Sequence, residues 1–495
     1  MSRNDSGSTE VRIMMSADTS TPRTGVIETR SIDVVPLAER HGKVWHQGPF
    51  WFTGNFVLTT MVVGFTGPSL GLSIWWTVLA VALGAGFGTF FMAFHANQGP
   101  TMGLAQMIQS RAQFGSRGAV VPFIATVFVY IGFLVFDTIL VTQGIGVYSE
   151  ATWFWYPIII ALSIVIAVVG HDLLHFIQRW LTYALVAVFL VITVFAIIHF
   201  SAAPIDPAAA AATAGWSTSA FLIQFSLSAG YNISYSVYVS DYTRYLPVNA
   251  SAPKLISSVY TGAGLSAIWL MSLGAILASY IPGADPIGTL REVGDMIVPG
   301  FGTVAVLVSV LALVSIMGVN AYGAMLTGAS AIDGFTPVKP TVKMRVIALT
   351  IVGIITLVIA LAIPENYVDS FNSFVGLMLY FLVPWSAVNL VDFYLVRRGR
   401  YALTDIVNPR DGVYGKWAWR GLASYALGFA AMIPFFSLSF YTGPIAKALD
   451  GADFAFAVGL LVSGVSYYLF NRGRDTAAEE AAIARSEEVF GVWRR

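Results

Sequence analysis

The 495-residue chain contains no cysteine, which excludes disulfides, thiolate nucleophiles and cysteine-bound metals. Charge is scarce as well. Asp, Glu, Lys and Arg make up 11% of the residues, against roughly 25% in ordinary soluble domains. The 27 basic and 27 acidic residues cancel, so no global field favours nucleic acid. No HExxH, P-loop or dinucleotide motif occurs. A membrane enzyme would need His, Asp or Glu clustered at membrane depth. Of six histidines, His171 and His175 stand close together with Asp172, but they flank a loop. No enzyme activity and no tightly bound cofactor or metal is expected. The first 47 residues are polar and mixed in charge, without the basic segment, apolar core and cleavage site of a signal peptide.

What remains is apolar. Hydrophobic residues make up 56% of the chain, and the mean hydropathy is +0.72. Apolar runs fall near 48–66, 73–95, 120–147, 153–170, 181–200, 218–240, 255–281, 299–325, 345–363, 371–396, 418–440 and 452–470. Most approach the ~20 residues that cross a bilayer as helix. The pattern predicts an all-α integral membrane protein with twelve transmembrane helices.

The basic residues orient it. Arg111, Arg117, Arg179, Arg244, Lys254, Lys339, Lys343, Arg345, Arg397, Arg398 and Arg400 occupy alternate loops, while the other loops hold few beyond Arg291 and Lys447. Basic loops face the cytoplasm. Arg30, Arg40, Lys43, Arg472, Arg474 and Arg495 then place both termini there, as an even number of spans requires. A plasma (inner) membrane location follows.

Two runs are interrupted. The first, "GPFWFTGNFVLTTMVVGFTGP", carries Gly54, Asn55, Gly64, Gly67 and Pro68. The sixth, "FLIQFSLSAGYNISYSVYVSD", crowds Ser226, Ser228, Gly230, Asn232 and Ser234 into its middle. Irregular backbone at membrane depth is tolerated where it faces protein or a watery cavity. Interrupted spans in matching positions of two halves point to a transporter's binding site. Close helix packing is the alternative use of the same small residues. The break in the sixth run is expected between Ser228 and Tyr235.

Five segments carry a more specific signal: "IETRSIDVVPLAERHGKVWHQGPFWFTGNF", "NQGPTMGLAQMIQSRAQFGSRGAVVPF", "VYVSDYTRYLP", "LYFLVPWSAVNLVDFYLVRRGRYALTDI" and "GVYGKWAWRG". Together, over about 28 to 470, they resemble the nucleobase:cation symporter family, and the second is most like the purine–cytosine permease branch. The resemblance implies a five-plus-five inverted repeat with discontinuous first and sixth helices, followed by two C-terminal helices. The substrate would lie between a bundle of spans one, two, six and seven and a scaffold of spans three, four, eight and nine. The expected organisation is a cytoplasmic tail over 1–47, largely disordered to about 29. Repeats over 48–200 and 201–396 follow, then a cytoplasmic loop over 397–417. Two helices within 418–470 and a cytoplasmic tail over 471–495 complete the chain.

A flat heterocycle needs aromatic faces for stacking and polar groups for its edge. In the family, aromatics of the third and sixth spans sandwich the ring. This implies Phe133, with Tyr130 and Phe136 as rivals, and Tyr231 or Tyr235. Asp137 lies one turn beyond Phe133, and a carboxylate within a span usually marks a cavity, a pair or an ion path. It is read as binding a ring N–H or accepting a coupling proton, with a bond to a neighbouring hydroxyl as the alternative. Asn232 is read as bonding the ring edge or bracing the broken backbone. Asn320 resembles a family position at the ligand edge. Ser315 and carbonyls near Asn55 resemble the cation site of sodium-coupled relatives. However, Ile316 follows Ser315 where a second hydroxyl belongs, so the coupling ion is H⁺ or Na⁺. Pro384 would let part of the tenth span bend as a gate. Asp392, Asp241 and Arg244 are read as gate or structural anchors. Asp241 and Arg244 would pair with each other or with Arg111, with snorkelling of both arginines to headgroups as the alternative.

The function expected is symport of a nucleobase or related nitrogen heterocycle, such as cytosine, a purine or allantoin, by alternating access. A transporter of the same architecture for amino acids or another small solute is the alternative, and a membrane enzyme or channel a more remote one. The expected partners are the small heterocycle and the lipid bilayer, with no nucleic acid. The chain is compatible with a monomer.

Overall fold

In an apolar surrounding each backbone N–H and C=O must be satisfied within its own segment, so the apolar runs fold as helices. The computed structural model of the protein describes residues 33–146, 152–169, 171–201, 215–281, 285–336, 338, 341–364, 367–408, 412–474 and 476–491. The expected disorder before residue 29, and the side chains of His171, Asp172 and His175, lie outside them.

The first run is built from α1 (Gln47–Asn55), α2 (Leu58–Val63) and α3 (Thr66–Ser69). α4 (Ile74–Ala96), α5 (Val120–Gly146), α6 (Thr152–Val169) and α7 (His171–Phe200) follow. The sixth run is α8 (Thr218–Ile233), a 3₁₀ segment over Ser234–Val237 and α9 (Val239–Thr243). Then come α10 (Ala252–Tyr280), α11 (Phe301–Asp333), α12 (Val342–Ala362), α13 (Val368–Val391), α14 (Trp419–Met432), α15 (Ala455–Asn471) and α16 (Ala477–Phe490). Seven helices among the described residues are long and apolar enough to cross a membrane unaided. With the two broken runs and the shorter α6, α14 and α15, the arrangement accords with twelve spans.

Packing sorts the helices into two groups. α10 lies against α1, α2 and α4, and α4 lies along α8. α11 lies along α5, and α6 joins α5, α11 and α12. α13 bridges them, touching both α8 and α5. Small residues set the closest approaches. A methyl group added at Gly88 of α4 would overlap the Ala229 carbonyl of α8, and one at Gly64 would overlap the Met271 carbonyl of α10.

Several expectations need correction. The stretch Ser226–Ile233 is regular α-helix, and the irregular backbone falls later, over Ser234–Tyr238, where Tyr238 has φ −142° and ψ 5°. The small residues before it are packing surface: Gly230 sits against the Val375 carbonyl of α13, and Ser228 against Gly84 of α4. Pro384 does not interrupt α13, which runs α-helical to Val391. The irregularity comes afterwards, in a π-helical turn over Asp392–Val396. The eleventh run is helical only to Met432. Pro434 then sits in a 3₁₀ turn, and a two-residue hairpin pairs Ser437–Leu438 with Tyr441–Thr442.

One end of the bundle gathers the basic loops. Arg111 is 1% exposed and donates to Asp333 at 3.0 Å and to the Ile406 carbonyl at 3.3 Å. It therefore pairs with the end of α11 rather than with Asp241. Asp241 instead accepts the Gln106 backbone N–H at 2.7 Å, and Arg244 donates to the Asp241 carbonyl at 3.2 Å. Arg244 is 2% exposed, so neither arginine snorkels. Asp392 is a hub. It accepts Gln113 Nε2 at 2.7 Å and the hydroxyls of Tyr401 and Tyr467 at 2.9 Å each, and it pairs with Arg397. Glu479 of α16 joins Arg397 at 2.6 Å and Arg474 at 2.7 Å. The expected C-terminal tail thus includes a docked helix at this same end.

Candidate functional site

The first span breaks where Phe56 (φ −91°, ψ 69°) and Val57 (φ −134°, ψ 160°) leave helical geometry. The freed groups are taken up locally. The Thr60 hydroxyl donates to the Asn55 carbonyl at 2.7 Å and shares a 2.9 Å hydrogen bond with the Tyr231 hydroxyl. Asn55 donates its amide to Asn232 Oδ1 at 3.0 Å and to the Ala263 carbonyl at 2.9 Å. Asn232 in turn donates to the Ser228 carbonyl at 3.1 Å. The two breaks therefore brace each other, and the Ala263 carbonyl of α10 holds the first.

Beside this brace is a cavity of about 400 Å³. Phe133, Asp137, Tyr231, Tyr235, Asn320 and Ser315 all line it. Asn232 and Asn55 do not, for they stand behind the wall in the brace just described. Phe133 meets Tyr231 edge to face, with ring centroids 5.5 Å apart and planes at 90°. Phe374 holds Phe133 from behind at the same distance and lies directly on Gly132. Asp137 is 2% exposed, and its Oδ1 accepts the Thr59 hydroxyl at 2.6 Å. The Ser315 hydroxyl is buried, with no hydrogen-bond partner among the described residues. Ile316, not a second hydroxyl, also lines the cavity.

Among the lining residues the sequence reading missed are Trp51, Thr59, Tyr238 and Tyr242. The tyrosines were detectable. Residues 231, 235, 238 and 242 recur at four, three and four residues, which is one face of a helix. Trp51 packs against three of them, with centroids 6.2, 5.9 and 5.4 Å from Tyr235, Tyr238 and Tyr242. The cavity extends to Pro49, Phe50 and Tyr183, toward the end that carries the basic loops. Away from that end the helices are joined: Thr66 donates to Asn372 at 3.0 Å, and Gln224 accepts the Gly67 N–H at 2.7 Å. No group of three His, Cys, Asp or Glu able to hold a metal occurs among the described residues.

Mutually braced helix breaks beside a cavity, reached from one end and joined at the other, define a multi-pass secondary transporter of the broken-helix kind. The chain belongs to the family of permeases for cytosine/purines, uracil, thiamine and allantoin, whose model matches residues 34–459. It is 36% identical over 452 residues to the Bacillus subtilis protein YxlA, provisionally named a purine-cytosine permease, covering 90% of this chain and 96% of that one. The Emericella nidulans purine-cytosine permease fcyB is 25% identical, covering 89% and 87%. The Microbacterium maritypicum hydantoin permease is 24% identical, covering 81% and 84%. The fold matches Mhp1, a nucleobase-cation-symport-1 family transporter. TM-scores are 0.68 for its closed conformation with bromovinylhydantoin bound and 0.70 for its inward-facing conformation. Identity is 18% and 19%, over 95% of this chain and 98% and 99% of those.

Proposed function

We propose that the protein is a symporter that carries a nucleobase or related nitrogen heterocycle, such as cytosine, a purine or allantoin, into the cell. The observation that carries this reading is the juxtaposition of Phe133, Tyr231 and Asp137 on one cavity beside two broken helices. The aromatic rings offer faces to a flat ligand, and Asp137 and Asn320 offer its edge acceptors and donors. Tyr235 extends the stacking surface. Asn55 and Asn232 hold the backbone that shapes the site. Ser315 is the candidate contact for a coupling cation, and H⁺ or Na⁺ supplies the gradient. Asp241, Arg244 and Asp392 serve gating or anchoring at the basic-loop end.

In this reading the repeats span 48–200 and 201–396, and α14 and α15 are accessory. The basic loops and both termini are cytoplasmic, and the plasma (inner) membrane is the site of action. No bond is made or broken, so the protein is a carrier and not an enzyme. The test is uptake of radiolabelled heterocycles and amino acids by expressing cells, with Na⁺ and pH gradients varied separately. Saturable heterocycle uptake that collapses with one gradient is expected. Uptake of amino acids with no heterocycle uptake would overturn the reading.

A further inference from the structure

We infer that Asp137 selects rings with an amidine edge, a ring nitrogen acceptor beside an exocyclic amino donor, and that carboxyl and ring hold one proton between them. This rests on the heterocycle-transport reading above and deepens it.

The argument starts from charge. Thr59 occupies one lone pair of Asp137 Oδ1, while Oδ2 makes no hydrogen bond to a described residue. Among the described residues no Lys, Arg or His lines the cavity. Its other titratable groups among the described residues are the phenols of Tyr183, Tyr231, Tyr235, Tyr238 and Tyr242, none of which carries a positive charge in either protonation state. α11 contributes Ser315 and Asn320, which do not titrate, and α13 backs Phe133 and Phe136 with Phe374 and Phe371. An ionised Asp137 facing a neutral ring would therefore be a desolvated charge without a counterion, which is costly.

One proton removes that cost, and it has two resting places. On the carboxyl, Oδ2–H donates to the ring nitrogen while a carboxyl oxygen accepts the exocyclic N–H. On the ring, the resulting amidinium donates both hydrogens to the carboxylate. The two arrangements differ only in where one proton lies between oxygen and nitrogen. A lactam edge, N–H beside C=O, fits the neutral acid but is too weak a base to take the proton. It therefore lacks the charge-assisted arrangement, the stronger of the two. A ring with its own negative charge has neither.

Ligand and proton then enter together and leave together. The coupling ion occupies the substrate site itself, which accords with Ile316 standing where a second hydroxyl of a separate cation site would be.

The experiment uses the purified full-length protein in proteoliposomes, with labelled cytosine, uracil, adenine and hypoxanthine between about pH 6 and about pH 8. Cytosine and adenine should bind about tenfold or more tightly than uracil and hypoxanthine. Their affinity should fall as pH rises past the titration of the free carboxyl, because binding must then take up a proton, approaching tenfold per pH unit. In Asp137→Asn the carboxamide still offers a donor and an acceptor but no proton. It should bind the amino-edged rings more weakly, with a flat pH profile and no accumulation driven by a pH gradient. Equal affinity for both edge types overturns the inference while leaving heterocycle transport intact. So does a flat wild-type pH profile, or an unchanged pH slope in Asp137→Asn. Transport of none of the four rings, with uptake of some other solute, overturns the underlying reading as well.

Discussion

Asn55, the last residue of α1, donates its side-chain amide to Asn232, the penultimate residue of α8, at 3.0 Å. The pair is 177 positions apart in sequence and joins the two helix breaks. Both side chains are fully buried. Asn232→Ala leaves the Asn55 amide with one partner fewer, at a cost of roughly 1–3 kcal/mol. The expected result is a lower thermal midpoint in detergent and a fall in maximal uptake rate, with KM changed much less because Asn232 does not line the cavity. Thermal unfolding and initial-rate uptake check this, and a rise in KM at unchanged rate and stability would contradict it.

Phe133 is held in place rather than merely present. Phe374 packs behind it and onto Gly132, where a methyl group would overlap the Phe374 ring. Phe133→Ala should weaken ligand binding by up to about tenfold, the range of one aromatic pair. Gly132→Ala should weaken it as well, without touching the ligand, by displacing Phe374. Equilibrium binding to membranes measures both, and a harmless Gly132→Ala would show that the support is not needed.

The Arg111–Asp333 pair ties the loop after α4 to the end of α11. Burial pulls the Arg111 guanidinium below its ordinary value and Asp333 opposes this. Removing one partner of a buried pair costs about 3–5 kcal/mol, because the other is left uncompensated. Since Asp333 is 18% exposed, Asp333→Ala should fall toward the lower end of that range. Arg111→Lys should not rescue, because the guanidinium also reaches the Ser330 and Ile406 carbonyls. Size-exclusion yield after graded heating reads both variants.

Glu479 fastens α16 to Arg397 and Arg474, at the foot of α13. Glu479→Ala should loosen α16 without unfolding the bundle. Limited trypsin digestion at Arg485, which lies within that helix, should then be several-fold faster than in the parent protein. Equal digestion rates would show that Ser486, bonded to the Thr404 N–H at 3.1 Å, suffices to hold it.

The helices and their alternation were legible because hydrophobicity and basic loops act over whole segments. The site was legible where chemistry was unusual for its surroundings. Asp137, the Phe133 position and the tyrosines of "YNISY" all reach the cavity. Finer geometry was not. Ser226 to Ser234 looked like a break because glycine and serine serve both open backbone and tight helix contact, and sequence alone does not separate these uses. The eleventh run looked continuous because Leu438 and Phe440, within the hairpin, are as apolar as helix residues. Trp51 and Thr59 sit on the wall because the chain turns at Phe56 and Val57, and no local pattern announces which way a broken helix will point.

The cavity wall draws on both helix groups, with Leu181, Thr182, Tyr183 and Leu185 of α7 beside them. Trp51, Tyr231, Tyr235, Tyr238 and Tyr242 come from the first and sixth spans, while Phe133, Asp137, Ser315 and Asn320 come from the third and eighth. Neither group alone encloses the cavity, so under the proposed transport cycle the two groups would act like the jaws of a calliper whose gap is set by what lies between them. A ligand's thickness then becomes a conformational variable. A flat ring permits the jaws to close, whereas the same ring with a bulky out-of-plane substituent would engage both faces and hold them apart. Such a molecule would compete for the site without crossing the membrane, which makes thickness, as distinct from affinity, the property that separates inhibitor from cargo.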